Sequence, residues 1–522
     1  MRIFALALVL LQCSSTPVAN DAGVDAAPDA ASCAAPDISC GGKCVDTKTD
    51  VANCGKCGLT CSTGENCCGA SCSSDPQCSV TVTSLSSTQG YLNGGDYVTL
   101  HGSGFAAGMR AWVGDGRSPV RVIDAQTALL VTPPAPIGKY DVRVQVGAIS
   151  ATLPLGYEVH TESFGTQWAE ISMSTPRGNF PAMTTLQDGR ALVVGGTSTS
   201  DPSSSLATAD LYDPVAKQMS PAAGAMSEPR NTVSAITLLD GRALVVGACN
   251  ITTGTGCLAP GDRAVADLFD PKTNTFATAK TTLADATRVY MRLTMLSDGR
   301  ILVTSNGSPT SEIFDPTTDS FSSGPASNYG AFGFPSRLRD GRVIFVSATS
   351  EIYDADANTV TPLPAAIPHG VVAAFTLPDG RVISPGGADD VNDMITPTDV
   401  VSLVDAAQPA VTTLAQKLSS PRLKFASALL GDGTVMVAAG VAAPYPATYG
   451  CQSDTFPTTN AVDVVDPKAG TVAPLPALND DNMELVATTL LDGSILIGGG
   501  AACGGAGAYP YVYFLKSVPG PN

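Results

Sequence analysis

The stretch "TLLDGRALVVGA", Thr237 to Ala248, recurs as "TLQDGRALVVGG" (185–196), "MLSDGRILVTSN" (295–306) and "TLLDGSILIGGG" (489–500). An Asp-Gly pair between two apolar runs is a strong hairpin signal, because a tight turn needs backbone at φ > 0. Seven such pairs begin at Asp188, Asp240, Asp298, Asp340, Asp379, Asp432 and Asp492, at intervals of 39 to 60 residues. Each predicts a two-residue type I′ turn. A third strand follows each of the first six: "ADLYDP" (209–214), "ADLFDP" (266–271), "SEIFDP" (311–316), "SEIYDA" (350–355), "VSLVDA" (401–406) and "VDVVDP" (462–467). A short fourth strand then carries one apolar residue in register: Met219, Phe276, Phe321, Val360, Val411 or Val472. Repeats of about 50 residues stack because none can bury its apolar face alone. Four strands in each of seven units predict an all-β, seven-bladed propeller over residues 160–522.

The seventh unit, "LVATTLLDGSILIGGG" followed by "AYPYVYFL", has no fourth strand after it. The segment "TQWAEISMSTPR" (166–177) matches "KQMSPAAGAMSEPR" (217–230) and places Trp168 where Met219 sits. The propeller is therefore expected to be closed by a strand within 166–173, which protects both edges of the sheet ring. The repeats resemble the kelch family and, more closely, the central propeller of galactose-oxidase-like proteins. They depart from it in two respects. The double glycine after the second strand persists only at Gly195-Gly196, Gly386-Gly387 and Gly498-Gly499, and the usual fourth-strand Trp survives only as Trp168.

The oxidase resemblance would imply copper held by two His and a Tyr, beside a second Tyr cross-linked to Cys. The chain has only three His (His101, His160 and His369), and one of them, His369, falls inside the repeats. It has neither a G-x-S-x-G elbow nor an H-E-x-x-H helix. The expectation is a protein that is not an enzyme and uses no cofactor or metal. The acidic runs "GGADDVNDM" (386–394) and "NDDN" (479–482) lack the calcium-loop spacing and read as solvated loops.

Ten or eleven residues before each hairpin Asp stand Arg177, Arg230, Arg288, Gly330, His369, Arg422 and Asn482. Propeller geometry predicts a ring at one channel mouth. Arg177, Arg230, Arg288, His369 and Arg422 are candidate ligand-binding residues, since guanidinium forks match carboxylates and sulfates. The alternative is structural: an Arg here can pair with acids of its own or the adjacent blade. The Asp of "LYDP" and its copies reads as turn chemistry before Pro.

Upstream, residues 79–159 alternate in short runs ("YVTLHGSGF", "MRAWVG", "KYDVRVQVG"), which predicts a small β-sandwich. "GGDYVTLHGSGF" (94–105), "VTPPAPIGKYDVRVQVG" (131–147) and "GYEV" resemble an IPT/TIG immunoglobulin-like domain, expected to serve as a spacer or docking module. His101 and Trp112 read as structural.

Ten of the 15 Cys lie between Cys33 and Cys78, a segment too poor in large apolar residues to stabilise itself by burial. The even count and the absence of His favour disulfides over zinc for residues 33–78, with the pairing left open. The spacing resembles the stigma-specific cysteine-rich family. Cys249 and Cys257 are candidates to close one loop, and Cys451 and Cys503 to bridge neighbouring blades.

"MRIFALALVLLQC" gives one Arg, then a run from Ile3 to Leu11 of signal-peptide size. Residues 1–12 read as a lipoprotein-type signal peptide, and Leu10-Leu11-Gln12-Cys13 resembles a bacterial lipobox with Cys13 as the lipidated residue, except that Gln12 stands where a small residue is usual. Ordinary cleavage a few residues later is the alternative. Residues 13–32 read as a disordered tether. A net charge of −18 argues against nucleic acid, whose binding needs clustered cations. Together these features predict a monomeric, exported protein of the outer membrane or cell surface of a Gram-negative bacterium, held by a lipid anchor only, or else secreted. Its expected role is recognition or adhesion toward extracellular glycan, acidic ones included, or protein. A degenerate propeller enzyme with residual oxidase or hydrolase activity, or a pure scaffold, is the alternative.

Overall fold

A computed structural model describes residues 33, 37–68, 70–73, 79–165, 167–198, 204–247, 265–285, 288, 290–305, 308–391, 394–446, 457–500 and 511–519. Among them the secondary structure is entirely β. Seven four-stranded antiparallel sheets form the propeller. The first blade runs outward through Ala182–Thr185, Ala191–Val194, Ala209–Asp213 and Gln218–Pro221.

Each hairpin centres on its Asp-Gly pair, but the turn differs from the expected one. The strands pair at Thr185↔Ala191, leaving five residues between them. The Gly189 amide donates to the Leu186 carbonyl, the Leu186 amide donates to the Arg190 carbonyl, and only Gly189 has positive φ (88°). This is a type I turn followed by a glycine bulge, which needs one left-handed residue where type I′ needs two. The Asp keeps its ordinary backbone because its carboxylate caps the turn, accepting from the Arg190 amide at 3.1 Å. That same arginine reaches out of its blade. Arg190 donates to the Pro271 carbonyl, Arg242 to that of Pro316 and Arg381 to that of Pro467, each on the following blade. The "DGR" and "DP" motifs are thus two halves of an inter-blade link. The Asp before that Pro caps its own turn: Asp213 accepts from the Val215 and Ala216 amides.

Burial grades across each blade. The second strand is buried at every position, as in "ALVV" (191–194) and "VIFV" (343–346), because neighbouring blades cover both of its faces. That double coverage explains why it reads as an unbroken apolar run instead of an alternating one. The core consists of seven apolar layers, one per blade interface. Leu192, Val194 and Leu211 of the first blade meet Ala243, Val245 and Phe269 of the second. The seventh layer closes the ring, where Leu496, Val512 and Phe514 pack on Ala191, Val193 and Tyr212. Each large side chain so buried contributes about 1.5–3 kcal/mol.

Closure comes from the N-terminal side of the propeller. Ala169–Ser172 pairs antiparallel with Tyr511–Leu515 as the outer strand of the seventh blade, and Glu162–Phe164 pairs with Ser517–Pro519. Trp168, one step before the Ala169↔Phe514 pair, donates from its indole to the Pro476 carbonyl at 2.8 Å and packs edge-on against Tyr513.

The sandwich joins a four-stranded and a five-stranded sheet around Leu100, Ala111, Leu130 and Val144. It does not hang free as a spacer: it docks on the hairpin side of the propeller. Arg117 forks onto Asp356 at 2.6 and 3.1 Å, and Arg339 pairs with Asp115. Backbone bonds join Leu92 to Gly431, Arg117 to Arg339 and Val120 to Ser297. In the cysteine-rich segment the disulfides are Cys33–Cys44, Cys40–Cys57, Cys54–Cys67 and Cys61–Cys72, and Cys68 is also disulfide-bonded.

Trp168→Ala removes a half-buried ring and orphans no backbone donor, so a loss of about 2–3 kcal/mol is expected, below the cost of a fully buried Trp. Denaturant unfolding of the full chain measures it.

Candidate functional site

The inner strands begin at one end of the channel, where the predicted cationic ring should stand. The structure places these residues inside the blades, not on the channel. Arg177 is fully buried; it pairs with Asp210 at 2.8 Å and donates to the Gly195 and Thr208 carbonyls. Arg230 pairs with Asp267 at 2.7 Å, Arg288 with Glu312 at 3.3 Å and Arg422 with Asp463 at 3.0 Å, all buried. Each acid is on the third strand of its own blade. Burial pulls the Arg177, Arg230 and Arg422 guanidinium groups down, and the paired carboxylates offset part of that.

The other positions follow the same plan with different chemistry. His369 is buried, with Nε2 3.0 Å from the Ser402 hydroxyl, and burial holds its ring below the ordinary imidazole range. At Gly330 the cation is missing, and Glu351 instead accepts from Ser327 and from the Asn328 amide and side chain. In the seventh blade Tyr513 takes the third-strand place of the acid, paired with Ile497, and its hydroxyl donates to Asp480, while the buried Asn482 side-chain amide has no hydrogen-bond partner among the described residues. The ring residues also tie blades together through their backbone: Gly196 donates to the Arg230 carbonyl and Gly387 to that of Arg422. The ring that was a candidate ligand contact is therefore a set of internal ties. A ligand in the channel would meet neither the forks nor the His369 ring, because each is already enclosed with a partner.

What does face the channel lies two to four residues further along. At this mouth a cavity of about 480 Å³ is lined by Phe180, Tyr290, Phe332, Phe334 and Phe425, with Arg292 and Lys424. Several of these rim residues are non-glycines in the left-handed region: Phe180 (54°), Tyr290 (50°) and Lys424 (56°), with Thr232 and Glu484 at the matching turns. Such backbone costs of order 1–3 kcal/mol per residue and clusters at binding and active sites. Lys424 is paired with Glu484 at 2.6 Å. Burial works against its ammonium, but Glu484 outweighs that and raises it. A signal for this rim was present in the fragments "RGNF", "RVYMR", "GAFGF" and "RLKF" (177–180, 288–292, 330–334, 422–425), whose aromatics have no counterpart in the other blades.

The opposite mouth is covered. Asn93, Gly95, Thr132 and Pro134 of the sandwich share a cavity with Arg337, Thr376 and Thr488 from the inner strands. Among the described residues, the one cluster with metal-ligand spacing is Cys54, Cys61 and Cys72, all already in disulfides. His101 lies in the sandwich, paired with Thr127, and His160 ends its last strand. Cys13, Cys249, Cys257, Cys451 and Cys503 lie outside the described residues.

Residues 80–158 match the IPT/TIG domain family. The fold is similar to that of a fungal alcohol oxidase of the AA5 family in complex with copper, with a TM-score of 0.51 at 16% identity over 69% of this chain and 77% of that one. It is also similar to virginiamycin B lyase from Staphylococcus aureus, with a TM-score of 0.46 at 10% identity over 68% of this chain and 99% of that one. No curated protein matches at the level of sequence.

Two outcomes follow. Removing one partner of a buried pair strands the other, so Arg177→Met or Asp210→Leu alone should cost about 3–5 kcal/mol, and the double variant should cost less than either. Thermal unfolding of the three variants decides it. His369 is held below its ordinary value, so the unfolded chain takes up the proton first, and the stability present at neutral pH is lost as pH falls through the ordinary imidazole value. His369→Gln should therefore melt with a shallower fall between pH 7 and pH 5 than the parent.

Proposed function

We propose that this protein is a non-enzymatic recognition or adhesion protein, exported and held at the bacterial surface through Cys13, that binds glycan or protein ligands at the open mouth of its propeller. The observation that carries this reading is the asymmetry of the channel. The sandwich covers one end, while the other opens into an aromatic-lined cavity of about 480 Å³ with strained rim residues. Cavities of some 300–1,000 Å³, mostly apolar with a few placed polar groups, are the usual form of ligand sites. The disulfide-rich segment fits an oxidising compartment. Against catalysis stands the placement of the imidazoles. His369 is enclosed with Ser402, and the other two lie in the sandwich and at the end of its last strand, so none is offered to the mouth.

Tyr290 is 45% exposed and stacks edge-on with Phe180 at 5.4 Å, so this pair is the accessible edge of the site. On glycan and peptide arrays the full chain should retain a defined set of ligands. Phe180→Ala/Tyr290→Ala should lose them without a change in the circular dichroism of the fold. Binding untouched by the double variant would move recognition elsewhere.

A further inference from the structure

We propose that the open mouth binds a carboxylate carried on an apolar body, with Arg292 as the residue that holds the carboxylate; this rests on the reading of that mouth as the recognition surface. Arg292 begins the inner strand Arg292–Met295 of the third blade and lines the cavity. Every other described arginine of the propeller has an oxygen partner. Arg177, Arg230, Arg288 and Arg422 pair with third-strand acids. Arg190, Arg242, Arg300, Arg342 and Arg381 pair with the Asp of their own hairpins. Arg339 pairs with Asp115, and Arg337, at the covered end, donates to the Arg117 carbonyl. Arg292 has none. Its guanidinium instead stacks on the Phe334 ring, 3.6 Å from its centre.

A cation over an aromatic face gains about 0.5–2 kcal/mol and leaves the N–H groups of the fork free to donate. Burial pulls the group down to about 10, which still leaves it charged at neutral pH. In a chain with a net charge of −18, a carboxylate partner was available to selection and is not there. The second cation of the cavity, Lys424, is neutralised by Glu484, so the site carries one unmatched positive charge.

The rest of the lining sets the body of the ligand. Beside Arg292 and Lys424, only the Tyr290 hydroxyl and Ser347 bring polar side-chain atoms; the remainder are Phe, Val, Leu and Gly. A sugar buried here would leave most of its hydroxyls without partners, at a cost of about 1–3 kcal/mol each. An aromatic or branched apolar group fills the cavity without that penalty, and the planar fork takes the carboxylate in a bidentate pair. Two sources offer this chemistry: a free aryl or branched-chain acid, and the C-terminal residue of a peptide.

Calorimetric titration of the full chain with 3-phenylpropionate and with acetyl-Ala-Ala-Phe, each beside its primary amide, tests the assignment. At least one acid should bind at least about tenfold more tightly than its amide, the scale of a charge-assisted hydrogen bond. Arg292→Met should abolish that preference, while Arg292→Lys, a point charge without the fork, should keep part of it. Arg292→Met should also melt no lower than the parent, since it removes a half-buried charge with no acid partner, so a lost preference is not a lost fold. A preference confined to the free acid or to the peptide names the source. Equal binding of acid and amide, a preference that survives Arg292→Met, or no binding of any of the four at millimolar concentration would each overturn the proposal. Equal binding that is lost in Tyr290→Ala would overturn the carboxylate while leaving the mouth as the recognition surface.

Discussion

The second strand of each blade cannot face water on either side, and the rest of the molecule is arranged around that constraint. "ALVV", "ILVT", "VMVA" and "ILIG" carry no polar face, so each needs a blade on its left and another on its right. A row of blades would leave two such strands uncovered at its ends. A ring leaves none, provided that the last blade is completed. That requirement gives Trp168 and Ala169–Ser172 their importance. They lie more than 300 residues in sequence from the strand they complete; Ile171 packs on the seventh apolar layer and Trp168 on the sixth. Closing so long a loop is entropically costly and slow, and the six local layers must supply the stability that offsets it.

The buried arginines follow from the same geometry. Where the chain leaves the second strand and returns along the third, the Gly195 carbonyl accepts from Arg177, and the Thr208 carbonyl, which already takes the Gly195 amide, accepts from it as well. A guanidinium with five donors satisfies two such carbonyls and an acid at once, a combination no shorter side chain reaches. Arg177 and Arg422 use that solution in full, Arg230 and Arg288 keep its acid, and the other three blades put His369 with Ser402, Glu351 without a cation, or Asn482 at the position. The replacements matter because they show that the position tolerates different chemistry while staying inside the blade.

Much of the architecture was legible in the sequence, and the reasons are physical. Periodicity of the Asp-Gly hairpins counts the blades, and the registers Tyr212↔Met219 and Phe269↔Phe276 follow from the spacing of apolar residues. The turn type was not legible, because Asp-Gly serves both a two-residue and a three-residue turn, and the choice depends on where strand pairing stops. The arginine ring could be located but not oriented: a position near a channel mouth can face inward or into its own blade, and the acid that decides it lies some 24 to 41 residues away. Arg292 was invisible for the opposite reason. Nothing in the sequence marks a charge as lacking a partner; that is a property of everything around it.

The sandwich adds something that a propeller alone would not have. With its loops set against the hairpin ends of the inner strands, the central channel is stoppered there and open at the other end. A passage has become a well. Whatever enters must leave by the same aperture, so dwell time is governed at one rim, and a long polymer can present its end or its edge but cannot thread through.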